Sequence, residues 1–106
     1  MKFKITTTRI NDDCVIAISG SLDSGTCPVA EKRINDIISR EGGNTSGSIV
    51  LDFKNLLYIS SLGLRILFKL AKERPSKIKI INVPSDIMDI FRMVGMDKTV
   101  AVSMAD

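Results

Sequence analysis

The chain has 106 residues, of which 44% are hydrophobic and 25% charged, and its net charge is +3, which is the composition of one small globular domain. It contains no histidine, and this excludes Ser–His and Cys–His nucleophile pairs. Basic residues alternate with acidic ones, and aromatic residues are only 5%, so we expect a solvated surface and no nucleic-acid interface. We therefore expect no enzyme, no catalytic residue, no metal and no cofactor.

The cysteines and the apolar runs indicate the compartment. Cys14 and Cys27 form no CxxC pair, and we expect them to be reduced thiols that are at least partly buried. No apolar run approaches the ~20 residues of a membrane span, and residues 1–6 lack the apolar core of a signal peptide. The expectation is a cytoplasmic protein without membrane insertion, and the sequence leaves its oligomeric state open.

The first half of the chain predicts a β-hairpin followed by a helix. Residues 2–10 alternate as an edge strand does, and residues 14–18 form an apolar, β-branched run that ends before Gly20. A helix that begins near Thr26 is predicted by apolar residues at helical spacing, namely Ala30, Ile34, Ile37 and Ile38. Residues 42–48 have the composition of a loop, which we expect to be exposed and mobile.

The second half adds strands and a last helix. Residues 48–53 and 78–83 are runs typical of buried strands, and residues 99–102 predict a short final one. The last helix is predicted by a stripe of Ile87, Ile90, Phe91 and Val94. Ser85 is its expected N-cap and Gly95 its expected end.

Strands that alternate with helices predict an α/β fold. We expect one domain over residues 1–106, with a central mixed sheet of four to five strands packed with helices.

The most informative segment is a helix predicted from about Leu62 to Glu73, which stops before Pro75. We expect a loop from Phe53 to Ser60 in front of it. On a helical wheel the buried face consists of Gly63, Ile66, Leu67, Leu70 and Ala71. The charged residues Arg65, Lys69, Lys72 and Glu73 lie opposite. Leu62 falls at the margin between the two faces, so its side chain is expected to be at least partly exposed.

Two adjacent serines, Ser60 and Ser61, stand at the start of this helix. Serine is a common N-cap, but no Glu or Gln follows three residues later to complete a capping box. A phosphoryl group on Ser61 would add about 1.5–2 negative charges, which the helix N-terminus tolerates. A partner packed against Leu62 would then meet a solvated dianion. The segment therefore predicts a binding patch that phosphorylation can switch.

Three segments of the chain carry motifs in a recognisable order. Residues 58–64, which follow Asp52 and Phe53, are similar to an Asp-Ser-Ser/Thr-Gly-Leu motif. Residues 18–23 are similar to a Gly-x-Leu-Asp turn, and residues 89–98 to a Leu-Phe-x-x-x-Gly-Leu stretch. Together they cover nearly the whole chain, which resembles the STAS domain family and in particular its anti-sigma factor antagonists.

The resemblance implies a phosphoprotein that regulates transcription by partner switching. The unphosphorylated domain binds an anti-sigma factor that is also a serine kinase of the GHKL type, and this frees a sigma factor. The kinase phosphorylates the serine that follows the motif's Asp, and a PP2C-type phosphatase reverses the reaction. Carried over to this sequence, that serine is Ser61. The partner-binding residues that the resemblance implies are Asp23, Ser24, Ser60, Ser61, Leu62 and Gly63.

This sequence departs from the family motif where Ser60 replaces the acidic residue and Leu62 replaces the second hydroxyl residue. Arg65 also stands where the family has a small residue, and it could approach a phosphate on Ser61. The alternative function is a STAS-like accessory or regulatory subunit of a transporter or signalling complex, without a phosphate cycle. Asp23 has an alternative role too, because an aspartate in a turn commonly bonds nearby backbone N–H groups.

Overall fold

The computed structural model describes residues 2–41 and 47–105, in which strands and helices alternate. In chain order the elements are β1 (Lys4–Ile10), β2 (Asp13–Leu22), α1 (Cys27–Glu41), β3 (Ile49–Asp52), β4 (Leu56–Ile59), α2 (Ser61–Glu73), β5 (Ile78–Val83), α3 (Ser85–Val94) and β6 (Ala101–Met104). A single 3₁₀ turn, Met96–Lys98, joins α3 to β6. Of the predicted loop over residues 42–48, residues 42–46 lie outside the described residues.

The strands form one mixed sheet in the order β1-β2-β3-β5-β6, and β4 pairs with the C-terminal end of β2. β1 and β2 are an antiparallel hairpin, and the other neighbours are parallel. The predicted α/β class, the hairpin and the mixed sheet are confirmed, but the sheet has six strands where the sequence predicts four to five. Because parallel strands end at one edge of a sheet, the segments that lead into α1, α2 and α3 share that edge.

The strand that the sequence does not predict is β4. The expected loop from Phe53 to Ser60 is wrong, because Leu56 pairs with Gly20 and the two residues that follow Leu57 pair with Ser21 and Leu22. Leu57 is therefore an extra residue without a partner on β2, which is a β-bulge. The bulge breaks the alternation of buried and exposed side chains, and a strand of four residues offers no other signal.

The three helices share one hydrophobic core with the sheet, and alternate residues of β2 face that core. The largest fully buried side chains come from both layers: Phe53, Phe91, Ile16, Ile18, Ile34, Ile37, Ile38, Leu51, Leu56, Leu67, Ile80 and Ile87. The rings of Phe53 and Phe91 join β3 to α3, with centroids 6.3 Å apart. In the part of the chain that the structure describes, no polar or charged residue is buried. The ionisable side chains of the described residues, apart from the two buried cysteines, are therefore at least partly exposed.

The helix α2 confirms its prediction closely. It begins at Ser61, one residue before the expected start, and ends at Glu73. Its buried residues are the five expected from the helical wheel, namely Gly63, Ile66, Leu67, Leu70 and Ala71.

None of the helices in the described ranges has the length and apolarity that a membrane crossing needs.

The helix α3 differs from its prediction at its start and in its buried stripe. Pro84 is the N-cap, because its carbonyl accepts the first helical bond from Met88, and Ser85 is already the first helical residue. Met88 is buried, whereas Val94 of the predicted stripe is 43% exposed. Gly95 ends the helix as predicted, in the left-handed conformation with φ 81°.

The final strand lies slightly later than expected. Residues 99–102 are predicted, and β6 spans Ala101–Met104. The bonds of the 3₁₀ turn continue through Thr99, whose N–H donates to the carbonyl of Met96, so the chain becomes extended only after it.

Candidate functional site

Ser60 is the residue from which α2 begins. Its backbone is extended, with φ −90° and ψ 173°, and its hydroxyl oxygen accepts a hydrogen bond from the Gly63 N–H at 3.3 Å. Its carbonyl accepts from the Leu64 N–H at 3.0 Å, and its own N–H donates to the carbonyl of Leu22 at 2.8 Å. Ser60 is therefore the N-cap, and its hydroxyl is committed to that role.

Cys27, the first residue of α1, contacts the same cap. Its Sγ lies 3.9 Å from the hydroxyl oxygen of Ser60, so the starts of α1 and α2 adjoin. The side chain is buried, and this burial raises the pKa of the Cys27 thiol, although the hydrogen bond with Ser60 lowers it in part. Cys14 is buried too, so the expected burial of both cysteines is confirmed.

Ser61 has a different environment from Ser60. It is the first residue of α2, and its side chain is exposed. Within the described ranges its hydroxyl has no hydrogen-bond partner. The structure thus separates the two serines, because one points inward as a cap and the other is available at the surface.

The turn between β2 and α1 lies beside these serines. Oδ1 of Asp23 accepts from the N–H groups of Gly25 at 2.9 Å and Thr26 at 3.0 Å. In return, the Thr26 hydroxyl accepts from the Asp23 N–H at 3.0 Å and donates to the carbonyl of Ser21 at 2.6 Å. The alternative role of Asp23 in its turn is confirmed. Its contact with a partner, like that of the exposed Ser24, stays a prediction.

The side chain of Thr26 holds the turn in front of α1, a role that was not predicted from the sequence. Thr26 carries the second half of the reciprocal bonding with Asp23, and its carbonyl accepts the helical bond of Ala30. The spacing Asp-x-x-Thr just before a helix is the signal that could have identified it.

Three large apolar side chains are exposed around the start of α2. Leu57 is 54% exposed, Tyr58 is 53% exposed and Leu62 is 39% exposed. The exposure of Leu62 confirms its predicted position at the margin of the helix. Leu57 and Tyr58 were missed, because β4 was not predicted and its bulge leaves two consecutive side chains exposed. We call the exposed residues Leu57, Tyr58, Ser61 and Leu62, together with the turn 22–26, the α2-start surface.

The α2-start surface has the features of a protein-binding site. Exposed aromatic and aliphatic side chains with few charges are typical of the centre of a protein interface. Two clefts, of about 230 and 290 Å³, are lined by other residues: Lys4, Thr6, Ala17, Ile18, Ser19, Asp52, Lys54 and Asn55 for one, and Arg33, Asp36, Ser39 and Arg40 for the other. The described residues contain no group of three or more possible metal ligands. The exposed apolar side chains of the α2-start surface are of the kind that a protein partner covers.

The two serines are expected to differ in their effect on stability. Ser60→Ala removes the acceptor of the Gly63 N–H and should lower the free energy of unfolding by about 1 kcal/mol. Ser61→Ala removes no bond that the structure shows, so we expect a change within about 0.5 kcal/mol. Urea denaturation of both variants measures the difference. An equal loss in the two variants would contradict the assignment of the cap.

Comparison with known proteins agrees with this fold. The family model described as STAS domain matches residues 4–105. The chain is similar to the crystal structure of an anti-sigma factor antagonist from Mycobacterium paratuberculosis, at 18% identity over 96% of this chain and 86% of that chain, with a TM-score of 0.84. It is also similar to the anti-sigma factor antagonist SpoIIAA in its unphosphorylated form, at 17% identity over 99% of this chain and 89% of that chain, with a TM-score of 0.68. No curated protein matches the sequence.

Proposed function

Because this chain belongs to the STAS domain family, we propose that it is an anti-sigma factor antagonist that is switched by phosphorylation of Ser61. In this proposal residues 1–106 act as one cytoplasmic binding domain without enzymatic activity. The unphosphorylated α2-start surface binds an anti-sigma factor that is also a GHKL-type serine kinase. Phosphorylation releases that partner, and a PP2C-type phosphatase restores binding.

The observation that carries this proposal is the contrast between the two serines. A phosphate acceptor must be reachable by a kinase, and the Ser61 side chain is exposed, whereas Ser60 is tied to the Gly63 N–H and to Leu22. The relatives with solved structures are named anti-sigma factor antagonists, which supports the same class of function.

The start of α2 can accept a phosphate without loss of the fold. The first N–H groups of a helix have no intrahelical acceptors, and the helix dipole favours negative charge there. The first turn of α2 contains no acidic residue that would repel the new charge. A partner that covers Leu57 and Leu62 would instead have to desolvate a dianion, so its affinity falls.

The departure at Ser60 is compatible with this mechanism. Serine and aspartate are comparably good N-caps, so Ser60 keeps the helix start that an acidic residue would provide. It also removes one negative charge from the position next to Ser61. This lowers the electrostatic cost of a phosphate on Ser61.

The direct test is phosphoryl transfer. We expect that a GHKL-type anti-sigma kinase from the same genome, incubated with ATP and this protein, adds one phosphoryl group by intact mass. Ser61→Ala should abolish the transfer, and Ser60→Ala should retain it if the variant is folded at the assay temperature.

Transfer that persists in Ser61→Ala would move the site to another residue. If no candidate kinase transfers a phosphoryl group, the alternative of an accessory or regulatory subunit of a transporter or signalling complex is favoured. The partner of that complex would then be sought by affinity purification with this protein as the bait. The Leu62→Ala variant, which alters the α2-start surface, is the binding-deficient control.

A further inference from the structure

Arg65 lies one helical turn after Ser61 on α2. Residues four apart in a helix are neighbours on its surface, and a long side chain leans back toward the N-terminal turn. Both Ser61 and Arg65 are exposed. The helical spacing therefore puts Arg65 within reach of a group attached to the Ser61 hydroxyl.

The charge of Arg65 is not balanced by a neighbouring side chain. Arg65 forms no ion pair in the part of the chain that the structure describes. Lys69, one turn further on, does form one, because its Nζ lies 3.3 Å from Oε2 of Glu31 on α1. The first turn of α2 has no acidic residue. Asp23, the acidic residue of the α2-start surface, accepts two backbone N–H bonds of its own turn with Oδ1. Arg65 is the fifth residue of α2, where the helix dipole offers no stabilisation to a cation, so an anion added at Ser61 would give its charge a partner.

We propose that Arg65 binds the phosphoryl group of phosphorylated Ser61 and fixes it over the first turn of α2. This inference rests on the proposed function, because it requires a phosphate on Ser61. The guanidinium can donate two parallel N–H bonds to two phosphate oxygens, which an ammonium group cannot do. Arg65 is a positioning residue, since it holds the product of phosphorylation and takes no part in the transfer.

Two properties of the phosphorylated protein follow from this pairing. The guanidinium stabilises the dianion over the monoanion, so it lowers the second pKa of the phosphoserine from its ordinary value of about 6. The pair also joins the first two turns of α2, so phosphorylation raises the melting temperature of the domain. Without Arg65, the phosphate would remain a freely solvated group.

The test uses protein with phosphoserine incorporated at position 61 during translation, so it does not depend on any kinase. The second pKa of the phosphoserine is measured by ³¹P NMR titration. We expect it to rise by about half a unit in phosphorylated Arg65→Gln relative to the phosphorylated wild type. Arg65→Lys should restore part of the difference, because it keeps the charge without the bidentate geometry.

Lys72→Gln is the matched control, because it removes one exposed positive charge from the same helix three turns away from Ser61. Its phosphoserine should titrate as in the wild type. Equal pKa values in Arg65→Gln and the wild type would overturn the pairing, as would equal shifts in Arg65→Gln and Lys72→Gln. A shift specific to Arg65 in a protein that no kinase phosphorylates would overturn the proposed function and leave the pairing intact.

Discussion

The Ser61→Asp variant is expected to bind the anti-sigma factor about 10–100-fold more weakly than the wild type, with an unchanged fold. A carboxylate that is buried without a partner in an interface costs several kcal/mol, and each ~1.4 kcal/mol is tenfold in affinity. The same carboxylate at the first position of α2 is favourable for the helix by about 0.3–1 kcal/mol. Isothermal titration calorimetry measures the first effect, and thermal denaturation the second.

Ser85→Asp is the matched control for this variant. Ser85 is the first residue of α3, as Ser61 is of α2, and both are exposed. The new charge therefore meets the same kind of helix terminus but lies outside the α2-start surface. An equal loss of affinity in both variants would mean that net charge, and not the position of Ser61, controls binding. Full affinity in Ser61→Asp would place the interface elsewhere.

The Gly63→Ala variant is expected to lower the free energy of unfolding by about 2 kcal/mol. A Cβ at Gly63 would lie 2.7 Å from Cγ1 of Ile59 and 3.2 Å from Cβ of Leu22. Both neighbours are buried, and neither atom is the far end of a flexible side chain. The start of α2 must therefore move away from β2 and β4, which outweighs the gain of about 1 kcal/mol that alanine brings to a helix.

Gly25→Ala is the control for the loss of a glycine as such. Gly25 is exposed, and a Cβ there would meet only the Asp23 carboxylate, at an ordinary contact distance of 3.4 Å. We expect the free energy of unfolding to change by no more than about 0.5 kcal/mol in urea denaturation.

Equal stability of Gly63→Ala and the wild type would show that the junction of β4 and α2 has room to adapt. Binding should fall in Gly63→Ala as well, since Ser61 and Leu62 shift with the helix start.

Secondary structure could be predicted best where a periodic pattern of apolar residues extends over several turns of a helix. The helix α2 has 13 residues, and its buried stripe was predicted residue by residue. β4 has four residues and one of them, Leu57, is bulged, so no period remains that could distinguish it from a loop. At α3, the pattern predicted the helix but not its cap, because a proline with φ −59° can end an extended segment and accept the first helical bond as well as serine can.

The candidate site could be predicted only in part, for a related reason. The sequence does not distinguish two adjacent serines before a helix, since either one can be the N-cap. The extended backbone of Ser60 decides that its hydroxyl caps α2 and that the Ser61 hydroxyl stays exposed. The resemblance to the family motif identified Ser61. The exposure of Leu57 and Tyr58 depends on a pairing register between β2 and β4 that no local pattern specifies.

The bond from the Ser60 N–H to the carbonyl of Leu22, and the contact of Cys27 with Ser60, have a consequence for association. They join the end of β2, the first residue of α1 and the start of α2, so the Asp23 turn and the Ser61 hydroxyl are held in one arrangement before a partner arrives. Little conformational entropy remains to be lost at this surface on complex formation. Discrimination between the phosphorylated and unphosphorylated forms can then arise from the phosphate itself, without a rearrangement of the domain.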